Sequence, residues 1–119
     1  MFSFENLGVY QKARVLVKEV YSLQGKLPAE ERYALGDQIR RSITSVTSNI
    51  AEGSGRESSK DKAHFCVIAF GSLMEAFSQL QNAQDLGYIS IKEVEGLRPQ
   101  FEEISKMLSG LKSSFEKKL

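Results

Sequence analysis

Catalysis needs groups that can reach one another, and this chain offers few such pairs. His64 is its single histidine and Cys66 its single cysteine. Two residues apart on a helix, they diverge onto different faces, so the thiol has no base within hydrogen-bond reach. The spacing favours a small buried cysteine over a nucleophile. Neither a zinc-ligand spacing nor a helical Glu-x-x-His motif is present. Residues 53–60, GSGRESSK, are more suggestive. Two glycines, Arg56, Lys60 and the free N–H groups at the start of a following helix could hold a phosphate. The alternative is a plain helix-capping turn. The segment lacks the spacing and preceding strand of a Walker loop, and Glu52, Glu57 and Asp61 add negative charge nearby. We expect no catalytic residue, no cofactor and no metal. The enzymatic alternative is a small-molecule enzyme using Glu75 and an arginine in a polar pocket between helices.

Cations are the next candidates. Arg40, Arg41, Arg56, Lys60 and Lys62 form one possible nucleic-acid surface, and Lys12, Arg14 and Lys18 a second. Net charge is only +1, with nine Lys/Arg against seven Asp/Glu in residues 1–60 and seven against eight in 61–119. Phosphate neutralisation drives binding to nucleic acid, so a near-neutral monomer binds strongly only if symmetry gathers basic residues from several copies.

A third group is polar without being charged. Along residues 38–56, QIRRSITSVTSNIAEGSGR, the positions Gln38, Ser42, Ser45 and Asn49 step by four, three and four. They form a stripe beside the apolar seam Ile39, Ile43, Val46 and Ile50. Ser72, Glu75, Gln79 and Asn82 repeat the device further on. With the hairpin turning near 54–55, Gln38 and Arg41 are expected opposite the neighbourhood of Glu75, in a polar network between helices two and three. Small serines permit close helix approach and polar groups fix register. Gln38, Ser42, Ser45, Asn49, Ser72 and Glu75 are therefore the expected contact with a neighbouring subunit.

These residues need elements to hold them, and helical periodicity supplies four. Leu7, Tyr10, Ala13, Leu16, Val17, Val20 and Leu23 mark a helix over 5–24. Pro28 suits the first turn of the second, which runs to a turn at 52–58. Ser58 with Asp61 caps a third helix reaching about Asp85, with Phe65, Ala69, Leu73, Ala76, Leu80 and Ala83 facing inward and Gly87 closing it. Ser90 with Glu93 caps the fourth, whose seam Val94, Leu97, Phe101, Ile104, Leu108, Leu111 and Phe115 alternates steps of three and four. Pro99 predicts a kink or a separate first turn near 95–99. Short connections make neighbours antiparallel, so the expected fold is all-α, a single up-down-up-down four-helix bundle over 1–119. No signal-peptide pattern opens the chain and no apolar run approaches the ~20 residues of a membrane span. The expectation is a soluble, cytoplasmic protein without a membrane partner.

The stretches FENLGVYQKARVLVKEVY, LPAEERYALGDQIRRSITSVTSNIAEGSGR, FGSLMEAFSQL and AQDLGYIS together resemble the four-helix-bundle proteins encoded in intervening sequences of bacterial 23S rRNA genes. SNIAEGSGR is the most specific of these segments. The chain departs from the family pattern at Thr47, where proline is usual, and at Pro99, where it is not. The resemblance implies a homo-oligomer, most often a pentameric ring, with no catalytic residues. A related branch, the accessory proteins of diversity-generating retroelements, binds a reverse transcriptase and nucleic acid. The implied function is a non-enzymatic oligomeric scaffold for RNA or DNA or for a nucleic-acid enzyme, the alternative being a purely structural homo-oligomer.

Overall fold

A computed structural model of the chain describes residues 1–118; Leu119, the last residue of the expected domain, lies outside the described residues. Four α-helices account for most of it: α1 (Gly8–Gln24), α2 (Leu35–Ser54), α3 (Ser59–Asp85) and α4 (Ile91–Glu116). No strand occurs among the described residues. The fold is all-α, an elongated bundle of 46 × 24 × 23 Å. Its core is a continuous seam to which every helix contributes, including Leu16 and Val20, Ile39 and Ile43, Leu73 and Leu80, and Ile104 and Leu108. Burying such side chains stabilises the fold by roughly 1.5–3 kcal/mol each before entropy is set against it.

The helix ends are chemically explicit. Ser58 Oγ accepts from the Asp61 amide at 3.1 Å, and Ser90 and Glu93 make a reciprocal capping box at 3.1 and 3.0 Å. Gly87 closes α3 with φ +83°, where a side chain would be strained. The Tyr88 amide then returns to the Ala83 carbonyl and the Gly87 amide to Gln84, the paired bonds of a Schellman motif.

Four local expectations are corrected. The first helix begins at Gly8, because Glu5 folds back onto the Phe2 amide (2.7 Å) in a separate 3-10 turn, Ser3–Asn6, and Leu7 is extended. Pro28 opens only a 3-10 turn, Ala29–Glu31; Ala34 then leaves helical geometry, and α2 starts at Leu35. At its other end α2 continues through Gly53, which serves close packing: a Cβ there would lie 2.7 Å from Phe65 Cβ. Finally, α4 runs unbroken through Pro99. Pro99 lies on the exposed side of the helix, where water can serve the Glu95 carbonyl that loses its N–H partner.

α3 corrects a further expectation. By length and composition it is apolar enough to cross a membrane, with a mean hydropathy of 1.2 over 18 residues. In the bundle its Ala69, Leu73, Ala76 and Leu80 are fully buried, while much of its remaining apolar surface faces outward.

Candidate functional site

The polar stripes of α2 and α3 meet inside the chain. Ser45 Oγ and Ser72 Oγ share a hydrogen bond of 2.8 Å, and Asn49 Nδ2 donates to the Ser45 carbonyl and hydroxyl at 2.7 and 2.9 Å. One end of the hairpin holds Gln79 Nε2 donating to Gln38 Oε1 at 2.7 Å, with Asn82 donating to Gln79 at 3.1 Å. Ser42 is buried and satisfies its hydroxyl on the Ile39 carbonyl of its own helix. Small hydroxyls let the two backbones approach, and each buried polar group finds a partner, which makes such a network stabilising.

The expected network therefore exists, but in a different register. Gln38 faces Gln79, about one turn beyond Glu75, because α2 extends further toward the connection than the glycines suggest. Arg41 turns back to Asp37 at 2.8 Å. Glu75 is exposed and takes part in no hydrogen bond or ion pair among the described residues.

The expected cationic surface divides in two. Arg40 is largely enclosed near the start of α2, donating to Gln24 Oε1 at 2.7 Å and to the Arg32 carbonyl at 2.8 Å. Arg41 is beside it. Arg56, Lys60 and Lys62 lie at the other end, roughly 20 Å away along the axis at about 1.5 Å per residue. There Arg56 pairs with Glu52 at 2.7 Å and stacks 4.6 Å from the Phe65 ring centre. Lys62 reaches the Ser54 carbonyl at 3.4 Å and lies over Phe115, which Lys118 also approaches. Lys60 is exposed. The sequence did not single out Lys118, and it read Phe65 and Phe115 as seam residues and not as partners of cations, because this proximity depends on how α4 ends against the α2–α3 connection; both rings are half-buried. On α1, Lys12 is paired with Glu103 at 3.1 Å, and Arg14 and Lys18 are exposed.

Cys66 and His64 diverge as their spacing requires. The thiol is buried, and burial pushes its pKa up, the reverse of nucleophilic activation. His64 is exposed, its ring edge-on to Phe65. No group of three or more potential metal ligands occurs among the described residues.

A feature the sequence reading missed lies on the outer side of α3. Val67, Phe70 and Met74 step by three and four and are 48%, 37% and 41% exposed. They border two grooves against α4: one of about 220 Å³ reaches Cys66, Leu108 and Lys112, and one of about 210 Å³ reaches Phe77 and Phe101. The available signal was the weak amphipathic contrast in α3, whose apolar residues extend beyond a single core-facing stripe and so call for a second cover.

The structure is an all-α bundle with a polar α2–α3 seam and an open apolar ridge on α3. The chain belongs to the 23S rRNA-intervening sequence protein family, whose model matches residues 5–110. It is also similar in structure to a protein of unknown function from the S23 ribosomal protein family of Bacteroides thetaiotaomicron. That likeness has a TM-score of 0.80 and 25% identity, covering 88% of this chain and 95% of the other. No curated protein matches the chain.

Proposed function

We propose that the chain is a non-enzymatic scaffold that assembles with copies of itself and holds nucleic acid or a nucleic-acid enzyme such as a reverse transcriptase. The observation that carries the assembly is the Val67, Phe70 and Met74 ridge, an apolar row left open on the most apolar helix. Contiguous exposed apolar surface of this kind marks interaction sites. The contact centres on this ridge; of the polar flank Gln38, Ser42, Ser45, Asn49, Ser72 and Glu75, which lies on the α2 side of α3, only Gln38 and Glu75 are exposed to extend it. Five copies is the number the family resemblance implies, and a ring closes when a contact joins two different patches through the right rotation.

Support for the nucleic-acid half comes from Arg56, Lys62 and Lys118 grouped around Phe65 and Phe115, with Lys60 exposed at the same end of α3. Rings that hold cations in place reduce the entropy lost when those cations meet phosphates. Repetition around an assembly multiplies the patch.

Light scattering at micromolar concentration tests the assembly: the unaltered chain is expected as an oligomer and Phe70→Glu as a folded monomer. A monomeric parent refutes it. Ser45→Arg is the poorer probe, because Ser45 already bonds Ser72 within the chain. Anisotropy with structured RNA and single-stranded DNA across a salt series tests the second half, with steep weakening at higher salt expected. Absence of binding even at low salt leaves a purely structural assembly.

A further inference from the structure

The connection between α1 and α2 borders a half-open pocket that neither the α2–α3 seam nor the apolar ridge uses. Its volume is about 250 Å³, and Gln24, Leu27, Pro28, Arg32, Gly36 and Arg40 line it. Gly36 is what admits Arg40. A Cβ at position 36 would stand 3.0 Å from the Glu31 carbonyl, 3.1 Å from Arg40 Nη1 and 3.4 Å from Gln24 Oε1. Through that gap the Arg40 side chain, 24% exposed, donates to Gln24 Oε1 and the Arg32 carbonyl.

Asp37 binds Arg41 at 2.8 Å and makes a second, longer ion pair of 3.9 Å with Arg40 Nη2. Glu31 accepts from the Tyr88 hydroxyl at 2.9 Å. No carboxylate lines the cavity, whereas the Arg32 guanidinium makes no hydrogen bond or ion pair among the described residues. Arg40 uses only part of its five-donor fork. Arg32 and Arg40 therefore both line one half-open pocket, Arg40 held in place and the exposed Arg32 with its guanidinium donors free, against Leu27 and Pro28. Guanidinium geometry matches the paired oxygens of phosphate and carboxylate. The volume lies below the ~300–1,000 Å³ of sites for drug-sized ligands, so the ligand is small.

We propose that this cavity binds a small oxyanion, a phosphate or a carboxylate, between Arg32 and Arg40. Bound there, the anion joins the 25–34 connection to the first turns of α2 and supplies the counter-charge that Arg32 lacks. The proposal is independent of assembly and of nucleic-acid binding.

Amide NMR of the full chain tests it, with sodium phosphate and sodium succinate titrated separately at constant ionic strength against sodium chloride. Saturable shifts at Gly25, Gly36 and the Arg40 Nε–H are expected in at least one arm, and the arm that saturates identifies the anion class. Arg32 is exposed, so Arg32→Gln keeps the fold, checked by unchanged core resonances, and raises Kd at least tenfold. Arg32→Lys, which keeps the charge without the fork, gives an intermediate Kd. Shifts no larger than those with chloride in both arms, or equal binding by Arg32→Gln, overturn the proposal.

Discussion

The two sides of the bundle are joined by different chemistry. Between α2 and α3 the links are neutral: Ser45 to Ser72, Asn49 to Ser45, Gln38 to Gln79. Between α1 and α4 they involve charge: Lys12 with Glu103 and Gln100 with Glu19, followed by Lys26, just past the end of α1, with Glu93. The neutral side permits close approach, down to Gly53 against Phe65. The charged side spans a surface groove of about 270 Å³ beside Val15 and Ile104. Neutral hydrogen bonds carry no charge for salt to screen or acid to titrate, whereas exposed ion pairs contribute little and are screened. The α2–α3 hairpin is thus the rigid half, and α1 is held to α4 by a weaker, condition-dependent set of bonds.

The largest effect expected from a test of that contrast is at Leu73. Fully buried on α3, it should cost about 2–5 kcal/mol when replaced by alanine, measured by denaturant unfolding. A loss well below that range would show that the hairpin yields around a cavity and is not the rigid half. Gly53→Ala comes next. The added methyl must displace Phe65 or separate the helices, at about 1–3 kcal/mol; an unchanged midpoint would mean that the close approach relaxes freely.

Ser72→Ala should cost about 1 kcal/mol by removing the partner of the Ser45 hydroxyl, with the same value at low and high salt. A salt-dependent loss would break the comparison. On the charged side, Lys12→Gln should change stability by less than about 0.5 kcal/mol, a difference that disappears in high salt.

Acid sharpens the contrast further. The Lys26 ammonium, followed by the Ser90 amide and hydroxyl, lowers the Glu93 pKa from 4.5 to about 2. Because the folded-state value is depressed, the stabilisation is complete above pH 4.5 and is lost as pH falls toward 2. The Tm difference between the parent and Glu93→Gln should therefore shrink across that window, while the difference between the parent and Ser72→Ala stays constant.

Helix existence, order and capping were legible because they depend on neighbours three or four residues apart: the Leu16 and Val20 row, the Ser90–Glu93 box, the glycine at 87. So was the divergence of Cys66 from His64. What depended on longer-range packing was not legible. Gly53 reads locally as a turn residue, and only Phe65, brought in by the returning helix, gives it a packing role. Arg40 reads as a surface cation, and only the gap at Gly36 beside the end of α1 draws it inward, away from Arg56. Val67, Phe70 and Met74 fit helical periodicity equally well inside or outside a core. By itself the sequence determined four helices, the capped start of α3 and α4, the glycine close of α3 and an all-α bundle, since backbone geometry imposes a fixed period on every apolar row. The tertiary structure alone decided the register between α2 and α3, which cations gather at one end, and which apolar row stays open, because these depend on distances between residues tens of positions apart.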